Sequence, residues 1–228
     1  MPSLDKLTES LYTFLTEERK QRFEKVLNKR TRHIALILED VYQSRNTSAI
    51  MRSADGMGIQ DFHIIETIHK WNKNKSVSKG ASSWLTLNKY DSIDSCIEKV
   101  KSLGYRIVAT SPHEGGYTPD TLPLDKPVAI VMGTELNGIT PPLMSQVDDY
   151  LEIPMLGFSE SFNISVASSI ITSRLRNRLN EMKIDDGLSD KEKAELRLVW
   201  AYNSLNDPEG IMRHLGLELP EEIRSKIL

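Results

Sequence analysis

The chain has one cysteine, Cys96, in 228 residues. That excludes an intramolecular disulfide framework and a zinc site built from several cysteines, and it points to the reducing cytoplasm. No apolar run approaches the roughly 20 residues that a membrane-spanning helix needs. Charges interrupt residues 1–20 too often for the apolar core of a signal peptide. No glycine leads into Gly-Lys-Ser/Thr, which removes the P-loop. Gly56-Met57-Gly58 begins like a dinucleotide fingerprint, but its third position is Asp61, and these glycines close a helix where the fingerprint would open one. Gly157-Phe158-Ser159-Glu160-Ser161 lacks the second glycine of a nucleophile elbow. The five histidines have no metal-ligand spacing, so no metal is expected. An excess of one charge is missing too: 29 basic residues face 32 acidic ones, a net charge of −3.

What is present is a folded, globular composition, with 39% hydrophobic and 27% charged residues. Its charge is unevenly placed. Arg19 to His33 holds seven Lys or Arg against Glu24, a net +6. Lys70 to Lys79 holds four lysines around Trp71, and Arg174, Arg176 and Arg178 form a third cluster. Residues 181–228 carry seven basic and eleven acidic residues, so the acidity sits in the C-terminal part. Local patches, rather than the sum, set the field that a phosphate backbone meets. Each patch alone reads equally well as a solvated face; three together point to a nucleic-acid surface.

Apolar spacing of three and four residues makes residues 4–27 helical, with Thr16 placed to cap a second helix. Short apolar runs then predict strands at Ile34–Leu38, Phe62–Ile65, Trp84–Leu87, Tyr105–Thr110, Val128–Met132 and Tyr150–Ile153. Helical spacing separates them at Asn46–Met57, at Asp91–Leu103 (closed by Gly104) and at Asn163–Leu179, and continues at Lys191–Ser204 and Asp207–Leu215. Strands alternating with helices predict an α/β fold, a parallel sheet covered by helices. The predicted organisation is a basic helical N-terminal extension over 1–33, an α/β domain over 34–180 and a helical C-terminal extension over 181–228. Ligands in such sheets bind beyond the carboxyl ends of the strands. Glu39-Asp40, Thr110–Glu114, Gly133–Gly138 and Pro154–Asn163 are the polar stretches there.

Three segments are polar in ways the fold does not require. Asn46-Thr47-Ser48-Ala49-Ile50-Met51-Arg52 sets Asn46 where a helix cap would sit, and Arg52 six residues on, about 9 Å along the axis. Gly133-Thr134-Glu135-Leu136-Asn137-Gly138 follows a strand directly, with glycines that allow backbone to approach a ligand. Ile153-Pro154-Met155-Leu156-Gly157, running on to Ser161-Phe162-Asn163-Ile164-Ser165-Val166-Ala167, passes from a strand end into a helix rich in hydroxyls. A cap, a turn and a helix start would each explain one of these segments alone.

As an ordered set they resemble the SpoU/TrmH branch of the SPOUT RNA methyltransferases, whose pattern is N-x-x-A-x-x-R, then G-x-E-x-x-G, then I-P-M-x-G with S-[LF]-N-x-S-x-A. Phe162 stands where leucine is common. The resemblance spans about residues 34–180. It implies the SPOUT fold with a deep C-terminal trefoil knot, a homodimer with its interface around the knot, and S-adenosylmethionine as donor for 2′-O-methylation of an RNA ribose. It implies Arg52 as the catalytic residue, surrounded by Asn46, Glu135, Ser161 and Asn163. The cofactor would lie against Thr110, Met132, Gly133, Gly138, Ile153, Met155 and Phe162. Arg52 serves either as a base, with an RNA phosphate taking the proton, or as a clamp on that phosphate. The helical extensions, Trp200-Ala201-Tyr202 and Gly210–Leu217 resemble the tRNA branch, whose members methylate guanosine 18 in the D-loop. The tRNA contacts would come from Arg19, Lys20, Lys25, Lys29, Arg30 and Arg45. Methylation of rRNA or of another tRNA position, and a non-catalytic RNA-binding dimer, are the alternatives.

Overall fold

A computed structural model describes residues 3–41, 44–67, 80–111, 114–134, 138–224 and 226–227, with only the backbone of Ser44. The chain divides into two compact units. One joins the segments 1–30 and 187–228, and the other is Thr31–Asp186.

The second unit is a six-stranded sheet. Its strands are β1 (Thr31–Glu39), β2 (Ile59–Ile65), β3 (Thr86–Tyr90), β4 (Arg106–Thr110), β5 (Val128–Met132) and β6 (Asp149–Leu151). They lie in the order β3-β2-β1-β5-β4-β6, and every pairing is parallel. Sheets of this kind are covered on both faces, so their central strands are apolar throughout. In β1, successive side chains point to opposite faces. Ile34, Leu36 and Leu38 pack with Ile50, Met51 and Ala54 of α3 (Ser44–Gly56) and with Ile164, Ile171, Leu175 and Leu179 of α6 (Ile164–Met182). Ala35 and Ile37 join Cys96, Ile97 and Val100 of α4 (Ile93–Ser102) and Leu143 of α5 (Pro141–Met144) on the other face.

Several expected bounds shift by a few residues, and two of the changes alter how a segment reads. Trp84 closes a 3₁₀ turn over Ala81–Trp84, and the strand starts at Thr86, where alternation takes over from the Ser-Ser pair. The helix expected to be capped at Asn46 already begins at Ser44, so Asn46 lies inside its first turn and its side chain is not the cap.

The other unit holds α1 (Leu4–Tyr12), α2 (Glu17–Leu27), α7 (Asp190–Asn203), α8 (Pro208–His214) and α9 (Glu221–Arg224). Thr16 caps α2 by accepting from the Arg19 N–H at 3.3 Å. Phe23 meets the edge of Trp200 at 5.7 Å between ring centroids, in a core shared with Leu7, Leu11 and Leu27. Glu24, the lone acid of the basic run, accepts two hydrogen bonds from Arg197 at 2.6 and 2.8 Å. Arg197 holds that carboxyl below its usual range.

Candidate active site

A cavity of about 670 Å³ opens beyond the carboxyl ends of β4, β5 and β6. β4 contributes Thr110, whose hydroxyl donates to the Val131 carbonyl at 2.8 Å and locks the two strand ends together. β5 delivers Met132 and Gly133; the chain leaving β6 supplies Ile153 and Met155; the start of α6 brings Phe162 and Asn163. The lining thus combines small residues with thioether and apolar surface. Thr110, Met132, Gly133, Gly138, Ile153, Met155 and Phe162 all line it, together with Ser161 and Asn163. Ser111, Thr134 and Glu160, which fall in the polar stretches picked out beyond the strands, line it as well, and so does Glu152, which lies outside them. The signal for Glu152 was available, since it stands directly after the end of β6.

The loop after β5 closes on itself. Thr134 and Gly138 exchange backbone hydrogen bonds at 2.8 and 2.9 Å. A Cβ on Gly133 would sit 2.3–2.4 Å from the Gly138 carbonyl and the Ile139 nitrogen, so only glycine fits there. Glu135 lies outside the described residues.

Asn163 caps α6, accepting from the Ser165 N–H at 2.9 Å and the Ser165 hydroxyl at 2.6 Å. Its Nδ2 donates to Asn46 Oδ1 at 3.4 Å, which brings the first and third motifs together. Ser53, seven residues after Asn46 and so on the same side of α3, accepts from the Ser169 hydroxyl at 2.9 Å. Arg52 stands elsewhere. At six residues from Asn46 it is turned about 240° around the helix, onto the exposed stripe that also carries Arg45 and Ala49. It is not among the residues lining the cavity.

The basic residues separate into groups. Arg19, Arg22, Lys25 and Lys29 are exposed around α2. Lys20 is half-buried, 2.6 Å from Glu17 and above the Tyr12 ring. Arg30 is a correction: it is 1% exposed, with its guanidinium 5.3 Å from the centre of the Trp200 ring, and serves the core of the helical unit rather than a phosphate. The third basic cluster is likewise engaged within its own unit. Arg174 pairs with Asp120 and with Glu181 (3.1 Å), Arg176 pairs with Asp186, and Arg178 donates to the Pro119 and Leu122 carbonyls at 2.9 and 2.8 Å. Lys70–Lys79 lies outside the described residues.

Comparison with known proteins shows the family. The SpoU rRNA Methylase family matches residues 33–173. This chain belongs to that family. Every cavity-lining residue, from Thr110 to Ile171, falls inside the SpoU match, as do Asn46 and Arg52. A Borreliella burgdorferi relative, named tRNA (guanosine(18)-2′-O)-methyltransferase, is 43% identical over 188 residues, covering 82% of this chain and 86% of its own length. The crystal structure of the Aquifex aeolicus TrmH/SpoU tRNA-modifying enzyme superposes with a TM-score of 0.74 at 28% identity, covering 83% of this chain and 98% of the other. The SpoU methyltransferase AviRb from Streptomyces viridochromogenes, solved in complex with the cofactor AdoMet, shares the fold at a TM-score of 0.57 and 21% identity, over 68% of this chain and 60% of its own.

Two buried groups of the SpoU domain stay outside this chemistry. Burial pushes the Cys96 thiol up to about 12, so it remains neutral and unreactive. Burial, aided by Lys99 and Arg32, lowers His63 to about 4, and its neutral ring stacks on Tyr90 with Nδ1 2.9 Å from the phenol oxygen. Among the described residues no group of three or more His, Cys, Asp or Glu is placed to hold a metal ion. No helix among them is long and apolar enough to cross a membrane.

Proposed function

We propose that this chain transfers a methyl group from S-adenosylmethionine to the ribose 2′-oxygen of guanosine 18 in the D-loop of tRNA, in the cytoplasm. The observation that carries this reading is the cavity at the carboxyl ends of β4–β6, built from the second and third motif segments and tied to the first through Asn46 and Asn163. The 43% identity to a relative bearing that activity's name supports the substrate.

The cavity suits this cofactor. Its volume lies in the range of small-molecule sites. Met132, Leu151, Ile153, Phe162 and Ile171 offer apolar surface for a purine, and the glycine-bounded loop offers backbone groups for its polar edges. When bound, S-adenosylmethionine supplies an electrophilic methyl on a sulfonium. The chain must bring the 2′-oxygen into line with it and accommodate the proton that leaves. Guanidinium groups stay protonated far above neutral pH. The role this favours for Arg52 is charge: it holds an RNA phosphate and stabilises the developing alkoxide, with that phosphate as proton acceptor. Exposure on α3 suits a residue that must meet a macromolecule. Asn163 caps α6 and joins it to Asn46 of α3, Ser161 lines the cavity, and these three with Glu135 are the proposed partners of Arg52 in the reaction.

Exposed Arg19, Arg22, Lys25 and Lys29 of the helical unit, with Arg45 on α3, form the proposed contacts to tRNA phosphates. A homodimer belongs to the same reading, as does the deep trefoil knot of the family. Val166 and Ile170 stand four residues apart on α6 and are exposed, as are Leu156, Phe158 and Phe162 in the segment leading into it. Exposed apolar side chains grouped along the approach to α6 and its first turns call for a covering surface.

Incubation with labelled S-adenosylmethionine and bulk tRNA or rRNA tests the proposal. Label in tRNA alone is expected. Label confined to rRNA would move the activity to another substrate, and cofactor binding without label in either RNA would make the protein a non-catalytic binder.

A further inference from the structure

Glu39 ends β1, is 1% exposed and does not line the cavity. A carboxylate so buried must be hydrogen-bonded. Its partner is Thr140, 101 residues on: the Thr140 N–H donates to Oε2 at 2.8 Å and the Thr140 hydroxyl donates to Oε1 at 2.5 Å. Thr140 stands at the exit of the loop that begins at Gly133, just before α5. β1 and β5 are neighbours whose outgoing connections run to opposite sides of the sheet, β1 to β2 and β5 to β6. The Glu39–Thr140 pair spans that division. On its other side, the next carboxylate, Asp40, accepts from the Thr67 hydroxyl beyond β2. Asp40 holds this place with φ +42°, a conformation that costs a non-glycine residue about 1 kcal/mol or more.

Among the described residues, the loop has three restraints in sequence. Gly133 is packed against Gly138 and Ile139, Thr134 and Gly138 are paired through their backbones, and Thr140 is held by Glu39. Gly133, Thr134, Gly138 and Ile139 all face the cavity. The first two restraints hold the loop's entry and exit against each other. Only the third ties its exit to β1, the central strand of the sheet.

We propose that Glu39 is a positioning residue for cofactor binding: through Thr140 it sets the wall formed by Gly133, Thr134, Gly138 and Ile139, against which S-adenosylmethionine is held. This rests on the reading that the cavity takes that cofactor. Loss of the anchor should weaken cofactor binding more than turnover at saturation, because Glu39 does not reach the reacting atoms. One hydrogen bond to a charged acceptor is worth roughly ten- to hundredfold in an equilibrium constant, and cofactor affinity is expected to fall on that scale when the wall loses its anchor.

The test is calorimetric titration of S-adenosylmethionine into the full chain, with steady-state methylation and thermal unfolding beside it. Wild type must bind; if it does not, the cofactor reading and this inference both fall. If wild type binds, Glu39→Ala is expected to raise both Kd and KM for the cofactor about tenfold or more and to leave kcat within about threefold. Glu39→Gln, whose amide oxygen still accepts from the Thr140 N–H, and Thr140→Ser are expected to recover most of the affinity. Thr140→Val, which deletes only the hydroxyl, should fall between, and it carries the test if Glu39→Ala does not fold. Folded Glu39→Ala, or Thr140→Val in its place, binding the cofactor as wild type does would overturn the positioning role and leave the cofactor reading intact. A fall in kcat at unchanged KM would also overturn it.

Discussion

Asn163 donates from Nδ2 to Asn46 Oδ1 at 3.4 Å across 117 residues of chain, while its own Oδ1 accepts from the N–H of Ser165. One side chain therefore both starts α6 and joins it to α3. The two functions are separable. Asn163→Ala removes both and should lower stability by about 1 kcal/mol, as for a lost N-cap. Asn163→Asp keeps the cap acceptor but loses the donor to Asn46. It should hold its melting temperature near wild type while methyl transfer falls about tenfold or more. Thermal unfolding and single-turnover assays on the two variants check this.

Arg52 lies on the exposed stripe of α3, away from the cavity lining. Arg52→Ala should therefore bind S-adenosylmethionine with an unchanged Kd and lose turnover by about a hundredfold or more, the scale of a lost acid–base or charge-stabilising group. Calorimetry and initial rates with saturating tRNA measure the two sides. Full turnover in this variant would remove Arg52 from the chemistry.

The sequence showed the sheet plainly because its central strands are unbroken apolar runs, and all six fell near their observed positions. Helix starts were less legible. Asn46 has the chemistry of a cap, yet the helix takes Ser44 and Arg45 into its first turn. Charge runs were the weakest guide. Arg30 belongs to the same run as Lys25 and Lys29, and nothing local distinguishes it; only packing against Trp200, 170 positions away in the chain, takes it into the core. The Glu39–Thr140 link was hidden for a similar reason. Glu39 was visible as a polar residue after a strand, but its partner is set by β1 and β5 lying side by side, which no local pattern encodes.

The split among the basic residues has a measurable consequence. Lys25→Ala should reduce the steepness with which tRNA affinity falls with salt, by about 0.7–0.9 in the log–log slope for each phosphate no longer neutralised. Arg30→Ala should leave that slope alone and lower the melting temperature instead, because it empties a buried site against Trp200. Filter binding across a salt series, set beside thermal unfolding, distinguishes the two.

His63 predicts a pH dependence of stability. Its pKa is lowered from 6.5 to about 4 by burial. The unfolded chain therefore binds a proton between those values that the folded chain does not. The stability this residue contributes is complete above pH 6.5 and is lost as pH falls toward 4, by up to about 1.4 kcal/mol per pH unit. Urea midpoints at pH 7 and pH 5 should differ in that direction. His63→Phe, which keeps a ring beside Tyr90, should flatten the difference.

The central claim is the atom and nucleotide that receive the methyl group. Unmodified tRNA transcript incubated with the protein and S-adenosylmethionine, then digested to nucleosides and mapped by mass spectrometry, measures both at once. The expected result is one methyl per tRNA, on the ribose 2′-oxygen of guanosine 18, and none in a transcript already methylated there. A methyl group on a base or at any other nucleotide, or full incorporation into the pre-methylated transcript, would contradict it.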